Sequence, residues 1–191
     1  DQDQVVAAGS THPPEEPAVI AAWLEARKKT PGLKLVLVPR HPERAEETAA
    51  ALDAAGVKHV RWTGGPAAGA DCLVVDAMGL LLPFYSISEV CFVGGTLDDT
   101  GGHNVLEPAL FGRPAVFGPN YRNARHAGDA LIKGKGGFLA GTAHEMAFVI
   151  SGLLTVPGAL QSARERASST LASLRGATAR TMAAVRAAMP G

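Results

Sequence analysis

Short, solidly apolar runs alternate with longer amphipathic ones along this chain. The short runs are Val5–Ser10, Leu33–Pro39, His59–Thr63, Cys72–Asp76, Val90–Gly94, Ala115–Gly118 and Gly137–Ala140. Most are apolar at successive positions rather than at alternate ones, the pattern of strands covered on both faces. Helical stretches lie between them. Glu15–Thr30 puts Val19, Ile20, Trp23 and Leu24 on one face and stops at Pro31-Gly32; Pro42–Ala55 opens on proline and stops at Gly56. Gly79–Ser88, Val105–Phe111, Arg122–Lys133 and Ala143–Leu154 follow, and Ala159–Met189 reads as one or two helices rich in Ala, Arg and Ser. Strand and helix in alternation predict an α/β fold: one three-layer, Rossmann-like domain over residues 1–191, a central parallel sheet of about six strands, and a helical tail over 155–191.

Composition narrows the function. Of 191 residues 47% are hydrophobic, enough for one domain with a real core. Lys+Arg and Asp+Glu number 18 each, so there is no excess positive charge for a general nucleic-acid surface. No apolar run approaches the length of a membrane span, and no signal-peptide pattern is visible. Cys72 and Cys91 sit in apolar, β-like runs without a CxxC pattern, which reads as two buried reduced thiols in a cytosolic setting. The chain opens Asp1-Gln2-Asp3-Gln4 rather than on methionine, as an excised part of a longer protein would.

In parallel α/β sheets ligands bind beyond the carboxyl ends of the strands, so the loops that follow strands are the places to look. Ser10-Thr11-His12-Pro13-Pro14-Glu15-Glu16 is an ordinary helix start, or else Ser10 and Thr11 line a ligand cleft. Pro39-Arg40-His41-Pro42-Glu43-Arg44 sets an arginine at the end of a buried strand. Arg40 there suits a phosphate, which its planar fork binds in a bidentate way; a salt bridge to Glu43 or another carboxylate is the structural alternative. Arg44 and His41 read as pairing or capping residues. Met78-Gly79-Leu80 is either a flat floor under a base or a plain strand-to-helix turn. The stretch from Gly94 to Glu107 holds two glycine pairs, Gly94-Gly95 and Gly101-Gly102, ahead of the helix expected from Val105. Backbone freedom before a helix start favours an anion, with His103 and Asn104 facing it. Asn104 and Glu107 have capping-box spacing; alternatively Glu107 accepts hydrogen bonds from a ribose.

These segments together, Ser10-Thr11-His12 with Glu15-Glu16, "PRHPER" (39–44), "DAMG" (76–79), "FVGG" (92–95), "GGHN" with "LEP" (101–108) and "FGP" (117–119), resemble the C-terminal half of 3-deoxy-D-manno-octulosonic acid (Kdo) transferases. The resemblance covers about Val5 to Leu154. It implies a GT-B glycosyltransferase architecture of two Rossmann-like domains facing across a cleft, this one binding the nucleotide-sugar donor CMP-Kdo without a metal or other cofactor. It implies donor contacts at Pro39-Arg40, Met78-Gly79-Leu80 and Asn104-Val105-Leu106-Glu107, with Arg40 stabilising the leaving group. The catalytic base and the contacts to the lipid A precursor fall to an N-terminal domain outside this chain, and the whole protein works at the cytoplasmic face of the inner membrane in lipopolysaccharide synthesis. Three positions depart from the family pattern: Leu80 stands where glutamate is usual, Val105 where proline is, and Pro14 where glycine is. Leu80 removes a polar contact near the nucleotide, which keeps two other readings open: a GT-B half using a UDP-sugar, and a non-catalytic Rossmann-like module that binds no nucleotide. A P-loop or dinucleotide reading fails for want of GxxxxGK[ST] or of GxGxxG after the first strand.

Overall fold

The computed structural model describes residues 3–65 and 69–188. Seven strands form one sheet: β1 (Val5–Thr11), β2 (Lys34–Pro39), β3 (His59–Arg61), β4 (Cys72–Val74), β5 (Val90–Val93), β6 (Ala115–Phe117) and β7 (Gly137–Leu139). Every pairing is parallel, in the order β3-β4-β2-β1-β5-β6-β7. All seven expected runs are strands, one more than the sheet of six. Among the described residues six α-helices accompany them, the last two after β7: α1 (Glu15–Arg27), α2 (Ala45–Ala54), α3 (Leu81–Ile87), α4 (Arg125–Lys133), α5 (Ala143–Thr155) and α6 (Ala159–Ala188). The tail is thus a single helix; Met189 lies outside the described residues.

The solid apolar runs are solid because both faces of the sheet are covered. Val6 and Ala8 of β1, Val90 and Phe92 of β5 and Val116 of β6 pack with Val19, Ile20 and Trp23 of α1 and Met146 and Ile150 of α5. Their neighbours Ala7, Cys91, Val93, Ala115 and Phe117 pack on the opposite side with Phe84 and Tyr85 of α3 and Leu131 of α4. Period-two alternation sends successive side chains to opposite layers, so β5 and β6, buried throughout, have no position left for a polar residue. Each large side chain so covered contributes roughly 1.5–3 kcal/mol. Cys72 and Cys91 are both buried and free, and burial pushes both thiols up. Among the described residues no single helix is long and apolar enough to cross a membrane.

Three expected helices are corrected, one of them Arg122–Lys133, which begins as a 3-10 turn at Arg122–Ala124 before α4. Val105–Phe111 is not an α-helix: residues 105–107 form a turn, followed by a 3-10 helix over Pro108–Phe111. Pro108 brings no N–H, and Gly112 closes the segment in the left-handed region at φ 63° after little more than one turn. The helix expected over Pro42–Ala55 begins as a 3-10 turn at Pro42–Arg44 before α2 takes over.

The strand order also locates a crevice. From β1 the chain passes to β2, then to the edge strand β3 and back to β4 between them, and returns to the other side of β1 for β5, β6 and β7. The loops that leave β1 and β5 therefore diverge, and the gap between them lies beyond the carboxyl ends of both strands.

Candidate functional site

That crevice is built by a buried carboxylate. Glu15, fully buried, accepts hydrogen bonds from four backbone N–H groups: His12 (3.0 Å) and Gly95 (2.7 Å) at Oε2, Thr96 (2.9 Å) and Leu97 (3.0 Å) at Oε1. One side chain thus ties the loop after β1 to the loop after β5. Beside it Glu16 accepts from the Thr11 hydroxyl (3.0 Å) and from the Arg44 guanidinium at 3.1 and 3.4 Å. Arg44 is therefore the pairing residue its place in the sequence indicates. Thr11 is a correction: it is fully buried with its hydroxyl on Glu16, so it lines no cleft.

Ser10 sits in the left-handed region at φ 54°, where the β1–β2 register shifts between Gly9 and Thr11. A non-glycine residue there is a local strain, and it turns the chain end toward β5. Gly94 answers it: a Cβ at that position would lie 2.3 Å from the Ser10 carbonyl oxygen. Gly101 and Gly102 also have positive φ, 94° and 87°, but both are buried. A Cβ on Gly101 would meet the Asn123 side chain at 2.8 Å, and one on Gly102 the Tyr121 backbone at 3.0 Å. Their freedom folds the loop on itself, with Gly102 N–H donating to Gly95 O (2.6 Å), His103 N–H to Gly94 O (3.2 Å) and Asn123 N–H to Gly101 O (2.8 Å). The expectation of a helix start directly after this pair is corrected, and the pair's freedom serves the loop's own hydrogen bonds.

The folded loop delivers His103 to His12. Their Nε2 atoms lie 2.9 Å apart, with ring centroids 5.2 Å apart and planes inclined by 14°. Those lengths close only if both nitrogens lie on the line between the ring centres, so the rings meet edge to edge in a straight N–H···N bond. His41 stands edge-on to His12 at 6.4 Å between centroids. Partial burial first, then the charges of His12 and Arg40, hold His103 below the usual histidine range, although Asp98 pulls the other way. Arg40 is exposed, its N–H donating to Thr11 O (3.0 Å), and among the described residues its guanidinium makes no ion pair. The salt bridge to Glu43 is absent; His41 approaches Glu43 instead, at 3.7 Å.

The remaining expected positions divide. Met78 is 70% exposed and Gly79 exposed at φ 80°, while Leu80 is half-buried at the start of α3. Pro39 is buried at the end of β2. Asn104 is exposed, its Oδ1 accepting from the Leu106 N–H (3.2 Å). Leu106 and Glu107 are half-buried, and burial raises the Glu107 carboxyl above the usual carboxylate range despite the neighbouring Asn104 amide. Val105 is fully buried in the core beside Tyr85, so its side chain faces no ligand. Sequence reading missed Glu15 as the crevice's anchor and the His12–His103 contact. Each joins residues some 80 to 90 positions apart. The only signal was that the partners lie in the segments that follow β1 and β5.

No protein-family model matches the chain. It is 34% identical over 187 residues to the Kdo transferase of Bordetella pertussis, covering 95% of this chain and 44% of that protein. To the Kdo transferase of Aquifex aeolicus it is 32% identical over 153 residues, covering 80% and 42%. The chain thus spans less than half the length of these relatives. The crystal structure of the C-terminal CMP-Kdo binding domain of WaaA from Acinetobacter baumannii superimposes with a TM-score of 0.83 at 33% identity, covering 90% of each chain. Similarity in sequence and in fold thus extends over a whole domain, and the chain belongs to the Kdo transferase family as the Rossmann-like C-terminal domain of its GT-B fold.

Proposed function

We propose that this domain binds CMP-Kdo in the crevice beyond β1 and β5, as the donor half of a transferase that glycosylates a lipid A precursor. The observation that carries the reading is Arg40: an exposed guanidinium without an ion-pair partner among the described residues, at the end of a buried strand and close to histidines. A free planar fork there binds a phosphate in a bidentate way and stabilises charge on the cytidylate as the glycosidic bond breaks. Met78 and Gly79 offer an exposed apolar floor to the base, and Glu107 an acceptor for the ribose hydroxyls. Ser10, Asn104 and Leu106 frame the same loops. The donor needs no metal in this reading. The base that deprotonates the acceptor hydroxyl, and the contacts to lipid A, belong to an N-terminal half, and the whole protein acts at the cytoplasmic face of the inner membrane.

Calorimetric titration tests it. CMP binds and UMP binds more weakly; tighter binding of UMP would instead indicate a UDP-sugar enzyme. Arg40→Ala removes a charge-assisted contact of about 1.5–3 kcal/mol, at least about a tenfold loss of CMP affinity, with the melting temperature unchanged. Retained affinity with lost stability would make Arg40 a structural residue.

A further inference from the structure

The Nε2 atoms of His12 and His103 point straight at each other, so in this geometry only one of them carries a proton. A second proton between them would set two N–H groups head to head. The surroundings oppose positive charge on the pair as well. Arg40 and His41 face it from the end of β2, and among the described residues acting on His103 only Asp98, from the loop after β5, attracts it. Glu15 lies beneath but is saturated by four N–H groups. The empty pair can thus hold at most one positive charge, where two separated histidines can hold two.

An oxyanion entering beside Arg40 reverses each of these effects. It neutralises the guanidinium's repulsion, and it offers an acceptor to each Nε2–H in place of the other ring. Resting on the donor-site reading above, we propose that the His12–His103 pair is a proton-linked oxyanion reader. Binding of a phosphate or carboxylate oxygen opens the Nε2···Nε2 contact, draws a proton from solvent onto the pair, and makes donor affinity rise as pH falls. The pair, and not Arg40 alone, then selects for an anionic group at this point of the donor.

Calorimetric titration of CMP at about pH 7.5, in two buffers of different ionisation enthalpy, reads this directly, because the nucleotide's own phosphate has already lost its proton there. Wild type takes up close to one proton per CMP bound. Its affinity weakens by up to about tenfold per pH unit from about pH 6.5 upward, the slope of a one-proton linkage. His12→Gln and His103→Gln each lower the uptake, and the double variant abolishes it. Uptake with CMP but not cytidine assigns the oxyanion to the phosphate; uptake with free Kdo assigns it to the carboxylate. CMP binding without proton uptake overturns this proposal alone, as does unchanged uptake in the double variant. Failure of CMP to bind overturns the donor-site reading and this one together. A nucleotide-free control is the nitrogen-15 titration of both rings. Coupled curves in the wild type that become a single ordinary curve in His103→Gln support the pair, and two independent curves from the start overturn it.

Discussion

Glu15 and Glu16 are adjacent, both buried, and do different work. Glu16 balances a guanidinium, and Glu15 organises backbone. A carboxylate with four N–H donors has no conservative replacement. Glu15→Gln keeps the shape but turns an N–H₂ toward N–H groups, leaving donors orphaned at roughly 2–3 kcal/mol. A domain of this size loses about 2–4 °C per kcal/mol, so scanning calorimetry shows a melting temperature lower by roughly 5–10 °C. An unchanged value would mean that the two loops hold without Glu15. Glu107 makes the contrasting case. Glu107→Gln leaves stability intact and weakens CMP severalfold, since a charged acceptor outranks a neutral one. Dideoxy-CMP, lacking both ribose hydroxyls, then loses little more on the substitution, and additive losses would remove Glu107 from the ribose. Arg40 was legible as a candidate because an arginine directly after an apolar run stands out. Glu15 was not, because its partners are backbone groups that carry no side-chain signature.

At the scale of elements, the central strands were legible because burial on both faces leaves only apolar residues, and all seven runs became strands, the edge strand β3 with two polar positions among its three. The segment from Val105 was misread because Asn104 and Glu107 have the spacing of a capping box, yet Asn104 turns to the Leu106 N–H. The same spacing at Thr142 and Glu145 does cap α5: Thr142 Oγ1 accepts from Glu145 N–H at 3.2 Å, and Glu145 Oε2 accepts from Thr142 N–H at 3.1 Å. The difference is downstream. A full apolar helix face follows Thr142, while Pro108 and Gly112 leave room for only a 3-10 turn after Asn104. The glycines invite a paired test. Gly94→Ala drives a Cβ into the Ser10 backbone, which cannot move aside, at about 1–3 kcal/mol. Gly152→Ala, within α5 with nothing within 4 Å of the added carbon, stabilises by about 0.5–1 kcal/mol. Urea midpoints should move in opposite directions. A shift of the same sign in both would show that Gly94 is there for something other than the Ser10 approach.

For the whole molecule, two distant groups make folding depend on pH in the same sense. Asp71, in the loop before β4, accepts from Arg27 of α1 at 2.6 Å and from Lys34 of β2 at 3.0 Å. The Arg27 hydrogen bond foremost, and Lys34 after it, hold its carboxyl below the usual range. A depressed carboxylate contributes stability above its unfolded pKa, and that contribution is lost as pH falls through the folded value. His103 is depressed too, mainly by burial, so the unfolded chain takes its proton first, and acid favours unfolding from the ordinary histidine range downward. The melting temperature of the free domain should therefore fall in two steps on acidification, one beginning near about pH 6.5 and one near about pH 4. His103→Gln removes the first step and leaves the second. Asp71→Asn lowers the plateau at neutral pH and flattens the second. A bound anionic donor works against the first step, because it stabilises the protonated pair. CMP should then raise the melting temperature more at about pH 6 than at about pH 8, with the difference vanishing in His103→Gln. A free-domain profile flat between those values would show that His103 titrates alike in the folded and unfolded chain, and the acid-side weakening would then rest on Asp71 and other carboxylates.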